Sequence, residues 1–256
     1  MNKILKLKTI ALFFAMLSLL NSQAFAESVA QFENNIINQY YKTSLTDRYE
    51  NDGVNQEVES KVASFIAKNP QSFSYAFKNL LSKNMIFVNY SPDRKLKFYT
   101  FNISAGGSMR EFASYVQFKQ GNKVITQALN DGGLIKAIHQ TQLNNIPTYL
   151  ISRTYIGSGC VGAYGIQATQ VRNAQYKTVS VFKTKTKALD QIDVSYDCNF
   201  YPKNIQPFDM DRHYIRVSEN LKNIDILLIK PSGELTQNYL RYQRVKNNYQ
   251  YIGTVK

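Results

Sequence analysis

In 256 residues the chain has no tryptophan, two cysteines and two histidines. These shortages narrow the chemistry. Cys160, Cys198, His139 and His213 do not fall at zinc-site spacings, so no metal centre is expected. The basic residues are scattered, without the block of five or six like charges that marks a nucleic-acid-binding tail. No apolar run beyond the first 20 residues is long enough for a bilayer span of about 20 residues. Neither the Gly-Lys-Ser/Thr ending of a phosphate loop nor a three-glycine dinucleotide fingerprint is present, and no cofactor is expected.

The N-terminus reads as a leader. Lys3, Lys6 and Lys8 form a positive region, Thr9 to Leu20 an apolar one, and Ala24-Phe25-Ala26 a small-x-small cleavage site. Residues 1–26 are therefore expected to be a signal peptide, with the mature chain beginning near Glu27 in the periplasm; secretion beyond the envelope is a further option. Removing the leader takes away three lysines and no acid, leaving a net charge of about +10. A surface of that sign favours anionic partners: lipid phosphates, wall carboxylates, acidic proteins or nucleic acid.

Residues 27–84 carry a helical period. Val29, Phe32, Ile36 and Tyr40 form one stripe, and Val58, Val62, Phe65 and Ile66 form another that stops at Asn69-Pro70. Phe73, Phe77, Leu80 and Leu81 predict a third, shorter helix ending near Asn84. From Met85 the period falls to two. Apolar runs flank Pro92-Asp93-Arg94-Lys95, Gln120-Gly121-Asn122, Asn144-Asn145, Arg172-Asn173-Ala174, Pro231-Ser232-Gly233 and Asn247-Asn248, the punctuation of successive hairpins. The expected fold is α+β: a short N-terminal helical segment packed on an antiparallel β-meander domain spanning 85–256. A curved sheet, sandwich or barrel fits. A small propeller is an alternative, although the spacing of turn centres is short for blades of about 40 to 50 residues.

Lys95-Leu96-Lys97-Phe98-Tyr99 followed by Gly106-Gly107-Ser108-Met109, with a cysteine segment around Cys160 and Val181-Phe182-Lys183-Thr184-Lys185, resembles a family of uncharacterised exported bacterial proteins. That family shows a KLRFYSW…GGTM strand and loop and a LFKTK-like segment after a helical region. Phe101 here replaces its tryptophan and Arg94 its glycine. The resemblance implies the same division into helical and β regions and brings no activity.

The residues themselves offer few sites. Around Cys160 the stretch GSGCVGAYG has glycine two after the cysteine but serine two before, and strands rather than a helix beyond, so it is no nucleophile elbow. In an exported chain, a Cys160–Cys198 disulfide is the expected state. The loop from Ser104 to Arg110 makes Gly106, Gly107, Ser108 and Arg110 a candidate ligand-binding set, with backbone N–H groups and one cation to meet an anion. The Asp209-Met210-Asp211-Arg212-His213 stretch reads as a polar loop. These features point to a periplasmic, non-catalytic binding protein whose partner is an anionic envelope component or another protein. The alternatives are an exported hydrolase using Cys160 with His139 or His213, and an inhibitor or immunity-type protein.

Overall fold

A computed structural model describes residues 27–41, 53–104, 108–130, 132–157, 159–206 and 209–256. The leader at 1–26 and the pair Gly106-Gly107 lie outside the described residues.

The chain builds four layers: helices, then three sheets. Helix α1 (Val29–Ile36) opens with a capping box, in which the Ser28 hydroxyl accepts from the Gln31 N–H and the Gln31 side chain accepts from Ser28 N–H. It runs into a π turn at Ile37–Tyr41, and α2 spans Val54–Lys68. The third predicted helix is a correction. Pro70–Phe73 is a 3₁₀ turn, and α3 is only Lys78–Ser82, because Phe77 sits in the left-handed region at φ 51° and no helix passes through it.

Sheet A has the order β1 (Phe87–Tyr90), β2 (Leu96–Asn102), β3 (Phe112–Gln120), β4 (Lys123–Leu129). Sheet B comprises β5 (Leu134–Leu143), β6 (Ile146–Ile156), β7 (Val161–Arg172) and β11 (Gln191–Asp197). It runs β11-β7-β6-β5, with β8 (Gln175–Thr178) on the far half of β7. Sheet C is built from β9 (Phe182–Lys183), β10 (Ala188–Leu189), β12 (Ile215–Val217), β13 (Asn223–Ile229), β14 (Leu235–Val245) and β15 (Asn248–Val255), in the order β10-β9-β15-β14-β13-β12. All pairs are antiparallel except β15 with β9. That parallel pair breaks the expected meander. It arises because the chain leaves sheet B after β8 and enters sheet C beside its last strand. The Asn144-Asn145 hairpin has both residues at positive φ, 54° and 60°, the twist that suits a two-residue hairpin.

Three apolar interfaces join the layers. Tyr99 and Phe101 of β2 pack under the helices with Val62, Ile66, Phe77 and Leu80. Leu96 and Phe98, on the other face of β2, meet Tyr149 and Ile151 of sheet B. Leu150, Ile166 and Ala168 on the far face of sheet B meet Phe182, Tyr214, Ile226 and Tyr249. Because sheet A is covered on both sides, Leu96–Phe101 is buried without a break, and this run includes Lys97.

Lys97 has no exposed surface, yet its Nζ donates to the Ser72 carbonyl at 2.7 Å and to that of Tyr75, over the rings of Phe77, Tyr90 and Tyr99. Burial pulls its ammonium down to about 7. From the helix side, buried Glu33 accepts from Tyr75 Oη at 2.6 Å and from the N–H groups of Asn79 and Leu80 at 2.9 and 3.0 Å. The connection 72–80 is thus clamped between a lysine of sheet A and a glutamate of α1, which satisfies N–H groups of the first turn of α3 that have no partner within the helix.

Candidate functional site

A cleft of about 740 Å³ opens where the β5 side of sheet B faces the outer edge of sheet C. Lys136 and His139 come from β5, Ser152 from β6, Asp211 and Arg212 from helix α4 (Met210–Tyr214), Arg216 from β12 and Glu219 from the turn beyond.

Local rules place each of them. The β5–β6 register slips between Ile135 and Ala137, so Lys136 is the extra residue of a bulge. Ile135 and Ile138 can then both face sheet A, while Ala137 and His139 point the other way. His139 lies opposite Leu150, and Ala137 opposite Ser152, on the face turned to sheet C. In α4, Met210 and Tyr214 stand one turn apart and are both buried, which leaves Asp211 and Arg212 outside the core. Strand alternation then buries Ile215 and exposes Arg216.

The cleft brings three cations, Lys136, Arg212 and Arg216, together with two carboxylates, Asp211 and Glu219. Among the described residues, Lys136, Arg212 and Arg216 make no ion pair with Asp211 or Glu219. Arg216 is the clearest case. Its cross-strand neighbour is Asp225, but that carboxylate is held by Arg241 in a two-pronged pair at 2.8 and 2.7 Å. Arg216 instead lies with its guanidinium carbon 3.8 Å from the centre of the Tyr239 ring. Burial, reinforced by the charge of Arg212, holds the His139 imidazole below its ordinary value. The site therefore presents three cations, two carboxylates, an imidazole of lowered proton affinity and a hydroxyl around one hollow.

Of the residues singled out from sequence, His139, Asp211 and Arg212 line the cleft and the others lie elsewhere. Cys160 and Cys198 are at disulfide distance, with Cα atoms 5.0 Å apart, at the end of the β7–β11 ladder where Cys198 N–H donates to the Cys160 carbonyl at 2.8 Å. The glycines serve the packing there. Gly159 takes φ 50°, and a Cβ at Gly162 would collide with the Tyr155 carbonyl and the Tyr196 hydroxyl. Asp197 joins the two sulfurs in a three-donor group that contains no histidine. With the sulfurs joined to each other, one carboxylate remains, too little to hold an ion.

His213 faces a different hollow of about 330 Å³ with Phe200 and Pro202, its ring edge-on to Tyr214 and Tyr239. Burial and the Arg216 charge lower its affinity for a proton. Ser108 and Arg110 are exposed, and Arg110 N–H ties its loop to the Ile156 carbonyl at 3.2 Å; neither residue lines the cleft. The Asp209–His213 stretch is mostly the helix α4 rather than a loop, because Met210 and Tyr214 anchor it in the core. Its signal was present in the sequence: Arg212 and Arg216 lie four apart among buried Met210, Tyr214 and Ile215. Among the described residues no helix is long and apolar enough to cross a membrane.

Comparison with protein-family models, curated proteins and solved structures finds no match for this chain.

Proposed function

We propose that the chain is a non-catalytic binding protein of the bacterial envelope and that it takes an anionic ligand in the cleft between β5 and the α4–β12 edge. One observation carries this reading: Lys136, Arg212 and Arg216 line one hollow and, among the described residues, form no salt bridge with the Asp211 and Glu219 that share it, while Arg241 withholds from Arg216 the acid across the ladder. Unpaired cations in a cleft raise the local concentration of anions and orient them on arrival. The leader-like N-terminus and the mature charge of about +10 fit a compartment rich in such groups.

The hydrolase alternative has little support. A sulfur held in a bridge supplies no thiolate, and both histidines sit in hollows that neither cysteine lines. Binding to vesicles containing phosphatidic acid, against vesicles of phosphatidylcholine alone, tests the reading. Capture by the anionic vesicles that weakens as salt is raised supports it. Equal capture by both, or affinity indifferent to salt, contradicts it.

A further inference from the structure

Resting on that reading, we infer that the cleft selects a compact tetrahedral dianion of the phosphate class and binds it together with one proton, taken up at His139. Lys136, Arg212 and Arg216 provide three separate cationic donors and Ser152 a hydroxyl. Three cations suit a doubly charged group with several acceptor oxygens better than a carboxylate with one charge and two. Asp211 and Glu219 stand on the same walls, so a long polyanion lying along the cleft would meet them, whereas a single phosphate among the cations need not.

His139 is the group that responds. The charged residues that line the cleft with it are Lys136 on its own strand, Arg212 and Asp211 from α4, Arg216 from β12 and Glu219 beyond, and of these Arg212 acts on the imidazole. Burial and Arg212 hold the proton affinity of the imidazole below its ordinary value. A dianion beside Arg212 cancels that repulsion and offers an acceptor oxygen, so the imidazole takes a proton from solvent and becomes a further donor to the ligand. For a dianion that does not itself titrate, affinity then rises as pH falls, from the midpoint of the bound imidazole down to that of the free one, and is level below. A phosphomonoester, with its second pKa at about 6, loses the dianion and binds less as pH falls further. The phosphate source is a lipid headgroup or a free phosphomonoester, which share this chemistry.

The chain has two histidines, so the imidazole NMR signals can be followed singly during a pH titration. Sulfate is the first probe, because it is a tetrahedral dianion that does not titrate in this range. The expected result is a rise of about one pH unit in the His139 midpoint with sulfate over chloride at equal ionic strength, equivalent to about tenfold tighter binding to the protonated form. His213, in its separate hollow, should move less. Arg212→Gln should raise the His139 midpoint without ligand and abolish the sulfate-induced rise, and Lys136→Gln should reduce it. Phenyl phosphate and vesicles containing phosphatidic acid then separate the sources, and a rise with either one supports the shared chemistry.

Equal His139 midpoints in sulfate and chloride, or an unchanged sulfate response in Arg212→Gln, would overturn the inference. If anionic vesicles still bind the Arg212→Gln chain as tightly as the parent, only the cleft assignment falls. If no anion binds at all, the proposed function falls with it.

Discussion

Lys97→Met replaces the buried amine with an uncharged side chain of similar length, and its effect should depend on pH. In the parent, burial lowers the amine from 10.5 to about 7. Below that value both native and unfolded chains carry the proton, and its influence on stability is constant. Above it the native state releases the proton while the unfolded chain keeps it, so the unfolded state binds more protons and stability rises with pH. Between about pH 7 and pH 9 the linkage amounts to roughly 2 kcal/mol. The tyrosines with raised values act in the opposite sense above about 10, where the unfolded phenols ionise first, so that range is avoided.

The substitution also removes the donor to the Tyr75 carbonyl, whereas the Ser72 carbonyl keeps the Tyr99 hydroxyl at 2.9 Å. Orphaning one buried carbonyl costs about 1–3 kcal/mol. Lys97→Met should therefore be less stable than the parent by that amount near pH 9, with the deficit shrinking by roughly 2 kcal/mol at pH 7. Urea unfolding of both proteins at the two pH values measures the double difference. Parallel pH dependences would refute the argument and mean that Lys97 keeps its proton in its box of carbonyls and ring faces throughout.

Three other outcomes follow from the geometry. Separating Cys160 from Cys198 with reductant, or by Cys198→Ser, frees a loop spanning a sequence separation of 38. Chain entropy sets the loss at roughly 4 kcal/mol, read as a fall in thermal midpoint with reductant. Glu33→Gln leaves the N–H groups of Asn79 and Leu80 and the Tyr75 hydroxyl facing a weaker acceptor. A loss of about 2 kcal/mol is expected, with amide exchange accelerated first in α3. Arg241→Ala frees Asp225 to pair with Arg216 across the β12–β13 ladder. It should weaken anion binding although residue 241 does not line the cleft, and a titration with phenyl phosphate reads the change.

Much of the architecture was written in short-range pattern. Asn144-Asn145 and Gly121-Asn122 marked hairpins at the right positions, and the stripes from Val29 to Tyr40 and from Val58 to Ile66 marked helices. Three features escaped because each depends on residues distant in the chain. Lys97 alternates with apolar neighbours like any solvent-facing lysine, and it is buried only because helices cover the second face of sheet A. The Phe73–Leu81 stripe has helical spacing, but Phe77 at positive φ divides it. The cleft joins residues 136–152 to residues 211–221, so neither segment alone carries a motif; only the stacking of sheets B and C makes their charges neighbours. The glycines near Cys160 were legible as backbone accommodation, and Gly162 beside Tyr155 and Tyr196 shows what they accommodate.

A backbone amide shift map of the ¹⁵N-labelled chain titrated with phenyl phosphate tests the central claim most directly. Perturbations clustered on Lys136–His139, Ser152 and Asp211–Glu219, and absent from the Arg212→Gln variant, are the result the account predicts. Shifts centred on Ser108–Arg110, or spread evenly over the basic surface, would contradict it.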